Sequence, residues 1–251
     1  VGGRQADLRS SLENEWLCAQ ILRRMGIPVA GCDVQQFEDR KVLVVERFDR
    51  RLVTGNAEFW LRLPQEDFCQ STGNPPTMKY EADGGPGMRA ISQILQQSSA
   101  RDADMRTFIT AQLLFWMLAA PDGHAKNFSL FLENGNQFRL TPLYDVLSFW
   151  PLVGNGPNLY PYRDLRLAMA VRGRNIHYEM HTIQARHFIE TAQRLGLGID
   201  MSELMQETIG RVPDVIGYLG TILPRGFPAQ VFETVTKGLQ ESASKLARQL
   251  A

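Results

Sequence analysis

Apolar positions recur at helical spacing near the start of the chain and predict a helix over residues 11–25. The residues of its apolar side are Trp16, Leu17, Ile21 and Met25. Ser10 or Ser11 is suited to cap the first turn, and Gly26 and Pro28 end the helix. Two apolar runs follow, over residues 30–37 and 41–48, and their spacing predicts a β-hairpin.

The middle of the chain alternates between turn-rich and strongly apolar sequence. Residues 50–87 carry repeated glycine, proline and asparagine, which indicates a long loop without regular structure. A helix is predicted over residues 88–97, and a buried helix over residues 108–120. Short apolar runs at residues 128–132 and 138–140 predict a second hairpin.

The remainder of the chain has mainly helical patterning. A stretch rich in proline and glycine, residues 149–164, comes first. The helices predicted after it cover residues 184–195, 202–210, 213–222 and 228–250. Pro213 is expected to separate two of these helices, because proline cannot donate the backbone hydrogen bond of a helix interior. The predicted fold class is therefore α+β, with a mainly α-helical second half.

A polar loop, residues 121–127, lies between the buried helix and the second hairpin. It contains Asp122 and, five positions later, Asn127, while Asp145 follows beyond the hairpin. Phosphoryl transfer needs a carboxylate that accepts the proton of an acceptor hydroxyl, and hard oxygen ligands for Mg²⁺ beside the phosphates. The spacing therefore predicts a phosphoryl-transfer site, although the neighbouring residues differ from those of eukaryotic-type kinases. A surface turn at Asp122 and a strand end at Asp145 form the alternative.

The end of the first hairpin would connect two lobes in a kinase arrangement. Backbone groups of Glu46, Arg47 and Phe48 would then form hydrogen bonds with an adenine ring. Considered alone, these residues are explained better by a plain hairpin with an exposed Glu–Arg pair.

Composition sets bounds on the class of protein. The chain has 251 residues with 27 basic and 27 acidic side chains, so no global charge indicates binding to nucleic acid or to a membrane surface. The longest apolar run, residues 108–121, is shorter than a membrane span. Three cysteines without paired spacing favour a cytoplasmic location. The start at Val1, without an apolar leader, suggests a fragment or processed product.

Two further clusters have a functional and a simpler interpretation. His177 and His181 suit one face of a helix, but the glutamate of a zinc-protease motif is out of place, so solvated histidines are expected. Residues 163–186 contain five arginines that would suit phosphates or an acidic peptide, yet a solvated surface is the expected interpretation.

Six motifs along the chain are specific enough to suggest a family. They are ENEW at residues 13–16, VERFDRR at 45–51, LRLPQED at 61–67, KYEADGGPG at 79–87, DGHAKNFSL at 122–130 and LTPLYDV at 140–146. In this order they resemble the HipA family, the bacterial serine/threonine kinase toxins of HipA–HipB toxin–antitoxin pairs. The resemblance extends over essentially the whole chain.

The resemblance implies a protein-kinase-like fold in two parts. Residues 1–50 would form the distal part of the small lobe, with its helix, hairpin and hinge. Residues 51–251 would form the mainly α-helical catalytic lobe. Asp122 is implied as the general base.

The resemblance also implies a nucleotide site that binds ATP and Mg²⁺. Its implied metal ligands are Asn127 and Asp145. Its implied nucleotide contacts are Glu46, Arg47, Phe48, His124, Ala125, Lys126, Asn127, Tyr144 and Asp145. Asp49 and Gln65 are implied as neighbours of the ribose.

The implied activity is transfer of the γ-phosphate of ATP to a protein serine. The family's target is glutamate–tRNA ligase, whose modification arrests translation and growth and promotes persistence. The implied partners are a HipB-type antitoxin and, through that complex, operator DNA; no membrane partner is expected. A non-catalytic lobe that docks antitoxin or DNA and a small-molecule phosphotransferase are the alternatives.

Three departures from the family pattern change these expectations. No glycine-rich loop with its regulatory serine, and no phosphate-pairing lysine, precedes residue 11, so the chain alone is expected to be inactive. Pro121 replaces the threonine that is usual in the family. Gln193 and Arg194 offer only a thin basic set for direct contact with DNA.

Overall fold

The computed structural model describes residues 7–55 and 58–251, so the amino-terminal stretch considered above for a glycine-rich loop and a leader lies mostly outside the described residues. The α-helices are α1 (Ser11–Arg24), α2 (Phe68–Ser71), α3 (Met88–Leu95), α4 (Arg101–Met117), α5 (Ala185–Leu195), α6 (Met201–Ile222) and α7 (Ala229–Leu250). The strands are β1 (Cys32–Phe37), β2 (Arg40–Val45), β3 (Arg50–Val53), β4 (Phe59–Arg62), β5 (Gln65–Asp67), β6 (Ser129–Glu133), β7 (Gln137–Leu140), β8 (Arg166–Arg172) and β9 (Ile176–Glu179).

The first helix and hairpin form where the hydrophobic pattern predicts them. The apolar side of α1 is buried, with Leu17 and Ile21 fully inaccessible. Ser10 occupies the N-cap position, but its side chain makes no capping hydrogen bond. The β1–β2 hairpin pairs Cys32 with Val45, and β2 ends at that valine, so residues 46–48 lie beyond the strand.

The prediction of a loop without regular structure over residues 50–87 is wrong. Strands β3 and β4 pair as a second hairpin, and β5 joins a three-stranded antiparallel sheet in the order β5-β6-β7. The three residues of β5 have no strand pattern of their own. They are held extended because Gln65 pairs with Phe131 and Glu66 pairs with Leu130.

Helix α4 is the central element of the core. It begins at Arg101, seven residues before the predicted start, because Asp102 and Asp104 lie in its first turn and interact favourably with a helix N-terminus. Asp104 also accepts hydrogen bonds from Ser98 Oγ at 2.5 Å and from the Leu140 amide at 2.8 Å. These contacts fix the polar first turn that the apolar pattern could not show.

The second half of the chain contains a hairpin that sequence patterning missed. Strands β8 and β9 pair with a bulge between Arg166 and Val171. His177 lies on β9, so it shares no helical face with His181. Its ring instead stacks on the buried His187 of α5, with ring centroids 3.9 Å apart.

The carboxyl-terminal helices follow prediction except at one proline. Helices α5 and α7 agree with their predicted bounds to within one residue. Helix α6 continues through Pro213, so the predicted break there is wrong. The proline lies on the exposed side of the helix. There the carbonyl that loses its partner can be hydrated, which lowers the cost of the missing hydrogen bond.

The buried residues form one contiguous cluster that runs from α1 to α7 around α4. Its largest inaccessible side chains include Trp116, Phe108 and Phe128. Among the helices of residues 7–55 and 58–251, none has the length and apolar character needed to cross a bilayer.

Candidate active site

The loop after α4 is held against the end of that helix by a close approach. A Cβ atom at Gly123 would overlap the ring of Phe115, so only glycine fits. Within the loop, the His124 amide donates to Asn127 Oδ1 at 3.2 Å and the Asn127 amide donates to the His124 carbonyl at 2.9 Å. These contacts fix the loop before any ligand binds.

Asp122 and His124 form the outer part of the site. The side chain of Asp122 is 52 % exposed, and its Oδ1 lies 3.6 Å from Nε2 of the buried His124. Burial lowers the pKa of His124, while the negative charges of Asp122 and Asp145 oppose that shift. The imidazole is therefore held mainly in its neutral form at neutral pH.

Asn127 and Asp145 come together from two different loops. Asn127 Nδ2 donates to the Asp145 backbone carbonyl at 3.3 Å and to its Oδ2 at 3.4 Å. Asp145 has a φ of 58°, a left-handed conformation that is uncommon for non-glycine residues. Contacts therefore run continuously from Asp122 through His124 and Asn127 to Asp145, and the roles of these residues stay predictions.

The donor atoms of Asn127 and Asp145 suit Mg²⁺. Among the described residues, no group of three or more histidine, cysteine, aspartate or glutamate side chains is arranged to hold a metal ion. Mg²⁺ takes one or two carboxylate or amide oxygens from a protein and completes its shell with phosphate and water. The pair therefore fits a magnesium ion that arrives with a nucleotide, and their assignment as its ligands stays a prediction.

The segment after β2, residues 46–48, has one backbone carbonyl and one backbone amide that are available to a ligand. The Glu46 amide donates to the Gly31 carbonyl at 2.7 Å, and the Arg47 carbonyl accepts from the Arg50 amide at 3.0 Å. In the described part of the chain, the Glu46 carbonyl and the Phe48 amide make no such bond. An acceptor and a donor two residues apart match the edge of an adenine ring.

Phe48 connects this segment to the rest of the site. Its ring lies 5.7 Å from the ring of Tyr144 and 5.7 Å from the ring of Phe131 on β6. The predicted hinge therefore contacts the residue next to Asp145. Arg47 points elsewhere, since its guanidinium pairs with Asp49 at 2.7 Å.

Ala125, Lys126 and Tyr144, three more of the implied nucleotide contacts, interact with other residues of the protein. Ala125 is fully buried, and its amide donates to the Lys79 carbonyl at 3.3 Å, so its side chain cannot line the phosphates. The Lys126 carbonyl accepts from the Tyr144 hydroxyl at 2.8 Å. Tyr144 also shares a hydrogen bond of 2.6 Å with Ser129 Oγ, and burial raises its pKa to about 12. Tyr144 thus clamps the first loop beside Asp145.

The two implied ribose neighbours differ. Asp49 is 2 % exposed and its carboxylate is occupied by Arg47 and by Arg50 at 2.5 Å. The Oε1 atom of Gln65 is buried, and within the described residues it accepts no hydrogen bond. A buried acceptor without a donor is uncommon in proteins, and the contact of Gln65 with ribose stays a prediction.

Two residues without an assigned role lie beside the site. Tyr80 donates a hydrogen bond to Asp122 Oδ1. Burial, together with the charge of Asp145, raises the pKa of Glu15 on α1 to about 6. Both residues belong to motifs that the resemblance marked, KYEADGGPG and ENEW, but their spacing alone gave no indication of a contact with the site.

A cavity of about 610 Å³ opens beside Asp122. Its lining is largely apolar and aromatic, and includes Tyr80, Pro121, Leu147, Phe149, Leu167 and Tyr178. This volume lies within the range of ligand sites and exceeds that of a single side chain. The cavity provides space for an acceptor group next to the Asp122 carboxylate.

The family follows from the sequence as a whole. The sequence model of the HipA-like C-terminal domain matches residues 3–216. The chain belongs to the HipA-like C-terminal domain family. It is 28 % identical over 226 residues to the serine/threonine-protein kinase toxin HipA of Shewanella oneidensis, covering 84 % of this chain and 48 % of that protein. It is 35 % identical over 162 residues to the protein Y4mE of Sinorhizobium fredii, covering 64 % of this chain and 35 % of the relative.

Solved structures confirm the fold class. HipA of Shewanella oneidensis MR-1, from its complex with HipB and operator DNA, matches with a TM-score of 0.78 and 22 % identity, over 95 % of this chain and 56 % of that chain. The Helicobacter pylori proinflammatory kinase CtkA matches with a TM-score of 0.56 and 11 % identity, over 98 % and 87 %. The chain thus has a kinase-like α+β fold and spans about half or less of the length of the curated relatives above. The lobe boundary near residue 50 stays a prediction.

Proposed function

We propose that this chain is the catalytic part of a HipA-type serine/threonine kinase that transfers the γ-phosphate of ATP to a protein serine. The proposal rests on the series of contacts that runs from Asp122 through His124 and Asn127 to Asp145. These contacts join two loops, and a cavity of about 610 Å³ lies beside Asp122. In phosphoryl transfer the protein mainly positions the reactants and stabilises charge. A pre-formed cluster with one exposed carboxylate suits that task.

Each residue of the site has a role that follows from its position. Asp122 faces the cavity, where its carboxylate can accept the proton of the acceptor hydroxyl. The Glu46 carbonyl and the Phe48 amide would bind adenine, and Gln65 would lie near the ribose. Asn127 and Asp145 would hold Mg²⁺, which would neutralise charge on the phosphoryl group that ATP supplies.

The neutral imidazole of His124 has a separate role in this scheme. It packs beside the Asp122 carboxylate at 3.6 Å and does not compete with the acceptor for the negative charge. The backbone amide of His124 also donates to Asn127. His124 is therefore assigned to orientation of the loop.

The partners are proposed from the relatives. HipA of Shewanella oneidensis is named a serine/threonine-protein kinase toxin, and its matched structure is a complex with HipB and operator DNA. By the same family resemblance, we infer a HipB-type antitoxin and operator DNA as partners of the protein that contains this chain. Glutamate–tRNA ligase is its proposed target, with growth arrest and persistence as the consequence.

Asp122→Asn tests the assignment of the general base in the complete protein. Loss of the proton acceptor should lower the rate of γ-phosphate transfer from radiolabelled ATP by about 10²–10⁴-fold, the usual contribution of a general base. Thermal denaturation should be unchanged, because the Asp122 side chain is half-exposed. Asp102→Asn, on the exposed surface of α4, is the matched control.

Three results of that assay would count against the proposal. Unchanged transfer by Asp122→Asn would remove its proposed role as the base. Absence of transfer in the wild type, with antitoxin binding intact, would favour a docking lobe. Preferential phosphorylation of a sugar or an aminoglycoside would favour a small-molecule phosphotransferase.

A further inference from the structure

We propose that Tyr80 is a positioning residue that orients the catalytic carboxylate, and this inference rests on the kinase function proposed above. The Tyr80 hydroxyl donates to Oδ1 of Asp122 although the two residues are 42 positions apart. Among the described residues, Oδ2 of Asp122 accepts no hydrogen bond. One carboxylate oxygen is therefore anchored and the other is left for the acceptor hydroxyl.

The anchor is needed because Asp122 is otherwise weakly held. Its side chain is 52 % exposed, and its one ion-pair contact among the described residues is with the His124 imidazole at 3.6 Å, beyond hydrogen-bonding distance. A free aspartate in such a position samples several rotamers. The phenol hydroxyl selects one of them, and the productive geometry no longer has to be found during each turnover.

Tyr80 is itself held in place from two sides. Its ring packs edge-on against the His124 ring, with centroids 5.2 Å apart. Its carbonyl accepts from the Gly85 amide at 2.9 Å, and the neighbouring Lys79 carbonyl accepts from Ala125 at 3.3 Å. A Cβ at Gly85 would overlap the Met78 carbonyl, so glycine is required where this turn closes.

Glu81 ties the same turn to the wall of the cavity. One of its carboxylate oxygens accepts from the Ala170 amide on β8 at 2.7 Å. Its other oxygen pairs with the guanidinium of Arg172. The segment from Lys79 to Gly85 thus bridges the catalytic loop and β8, which carries cavity-lining residues such as Leu167. Tyr80 is the member of this bridge that contacts the base.

The Tyr80 hydroxyl remains a hydrogen-bond donor at neutral pH. Burial, followed by the hydrogen bond and charge of Asp122, raises the pKa of Tyr80 above its usual value. The hydroxyl therefore keeps its proton at neutral and moderately alkaline pH. It can hold Asp122 without taking part in the proton transfer.

Tyr80→Phe separates the hydroxyl from the packing of the ring. In the complete protein we expect kcat for serine phosphorylation to fall by about 10–100-fold, because a small displacement of a catalytic group has effects of this size. KM for ATP should stay within about twofold, and the melting temperature should be unchanged. Tyr218→Phe, an exposed tyrosine on α6, is the matched control and should behave as the wild type. Equal kcat for Tyr80→Phe and this control would overturn the inference.

A second measurement does not depend on kinase activity. Tyrosines labelled with ¹³C at Cζ are titrated by NMR in the wild-type chain and in Asp122→Asn. If Asp122 accepts the hydrogen bond, its replacement by a neutral amide should move the titration of Tyr80 to lower pH, since the negative charge no longer opposes ionisation. The Tyr218 signal should not move.

The two measurements distinguish the failure of this inference from the failure of the proposed function. An unchanged Tyr80 titration overturns the Tyr80–Asp122 contact whatever the kinase assay shows. A shifted titration in a protein without phosphoryl transfer supports the contact and counts against the kinase function instead. A shifted titration with normal kcat in Tyr80→Phe shows that the contact exists without a positioning role, which also overturns the inference.

Discussion

Asp49 lies directly after the predicted hinge and has the most strongly paired carboxylate of that segment. It is 2 % exposed and accepts from Arg47 and Arg50, and Arg62 approaches to 3.9 Å. The hydrogen bond from Arg47 is the main reason that its pKa falls to about 2. This cluster joins the hinge to the β3–β4 hairpin, so we assign Asp49 to the position of the hinge and no longer to contact with ribose.

Asp49→Asn should lower the free energy of unfolding at pH 7 by about 2 kcal/mol, measured by urea denaturation. Because the folded-state pKa lies below the ordinary 3.8, the stabilisation is present above pH 4 and is lost as the pH falls toward 2. The variant should therefore lose less stability than the wild type on acidification across that range. Asp39→Asn, at an exposed turn, should change stability by less than about 0.5 kcal/mol. Parallel acid dependence in wild type and Asp49→Asn would contradict the assignment.

Helix α6 shows how a single element tolerates an unfavourable residue. Pro213 removes one backbone donor inside a helix of 22 residues, yet the helix stays continuous because buried side chains such as Met205 before it and Val215 after it hold both halves against the core. Tertiary packing supplies the stability that local propensity lacks. The missing hydrogen bond at Pro213 therefore lowers the stability of α6, and a substitution on its exposed side can remove this loss.

Pro213→Ala should restore the hydrogen bond to the carbonyl four residues earlier and stabilise the protein by about 1–3 kcal/mol. In a chain of this size that corresponds to a rise in melting temperature of about 2–4 °C per kcal/mol. Gly217→Ala in the same helix measures propensity alone, since nothing lies within 4 Å of its added methyl group. Its expected gain is about 1 kcal/mol. A lower melting temperature for Pro213→Ala would mean that the bend at the proline is needed for packing.

At the scale of the whole molecule, the core and the candidate site share side chains. Phe115 of α4 is 1 % exposed, contacts the ring of Phe128 at 5.8 Å and leaves no room for a side chain at Gly123. The same side chain thus fills the centre of the core and supports the loop of Asp122. A substitution in the core at Phe115 should therefore also alter the position of the Asp122 loop.

Phe115→Ala should cost about 3–5 kcal/mol, because it removes a buried aromatic ring and leaves a cavity. Unfolding should stay a single transition, with far-ultraviolet circular dichroism and tryptophan fluorescence changing together, since the buried cluster is contiguous. Trp60→Ala, at a side chain that is 65 % exposed, should change stability by less than about 0.5 kcal/mol. Two separated transitions in the wild type would show that the parts before and after residue 50 unfold independently.

The sequence by itself determined the elements whose apolar spacing is regular and long. Helices α1, α5 and α7 and the β1–β2 and β6–β7 hairpins follow from that spacing, because burial of one face requires it. The order of Asp122, Asn127 and Asp145 around a hairpin also indicated phosphoryl transfer, since the chemistry requires those oxygen atoms at the ends of neighbouring elements.

Only the tertiary structure decided the remaining features. Strand β5 exists because β6 pairs with it, and α6 passes Pro213 because its buried side is packed. The contacts of Tyr80 with Asp122 and of Asn127 with Asp145 join distant parts of the chain, so no local pattern encodes them. Hydrogen bonds between such residues depend on where the intervening elements pack, and that position is set by the shared core.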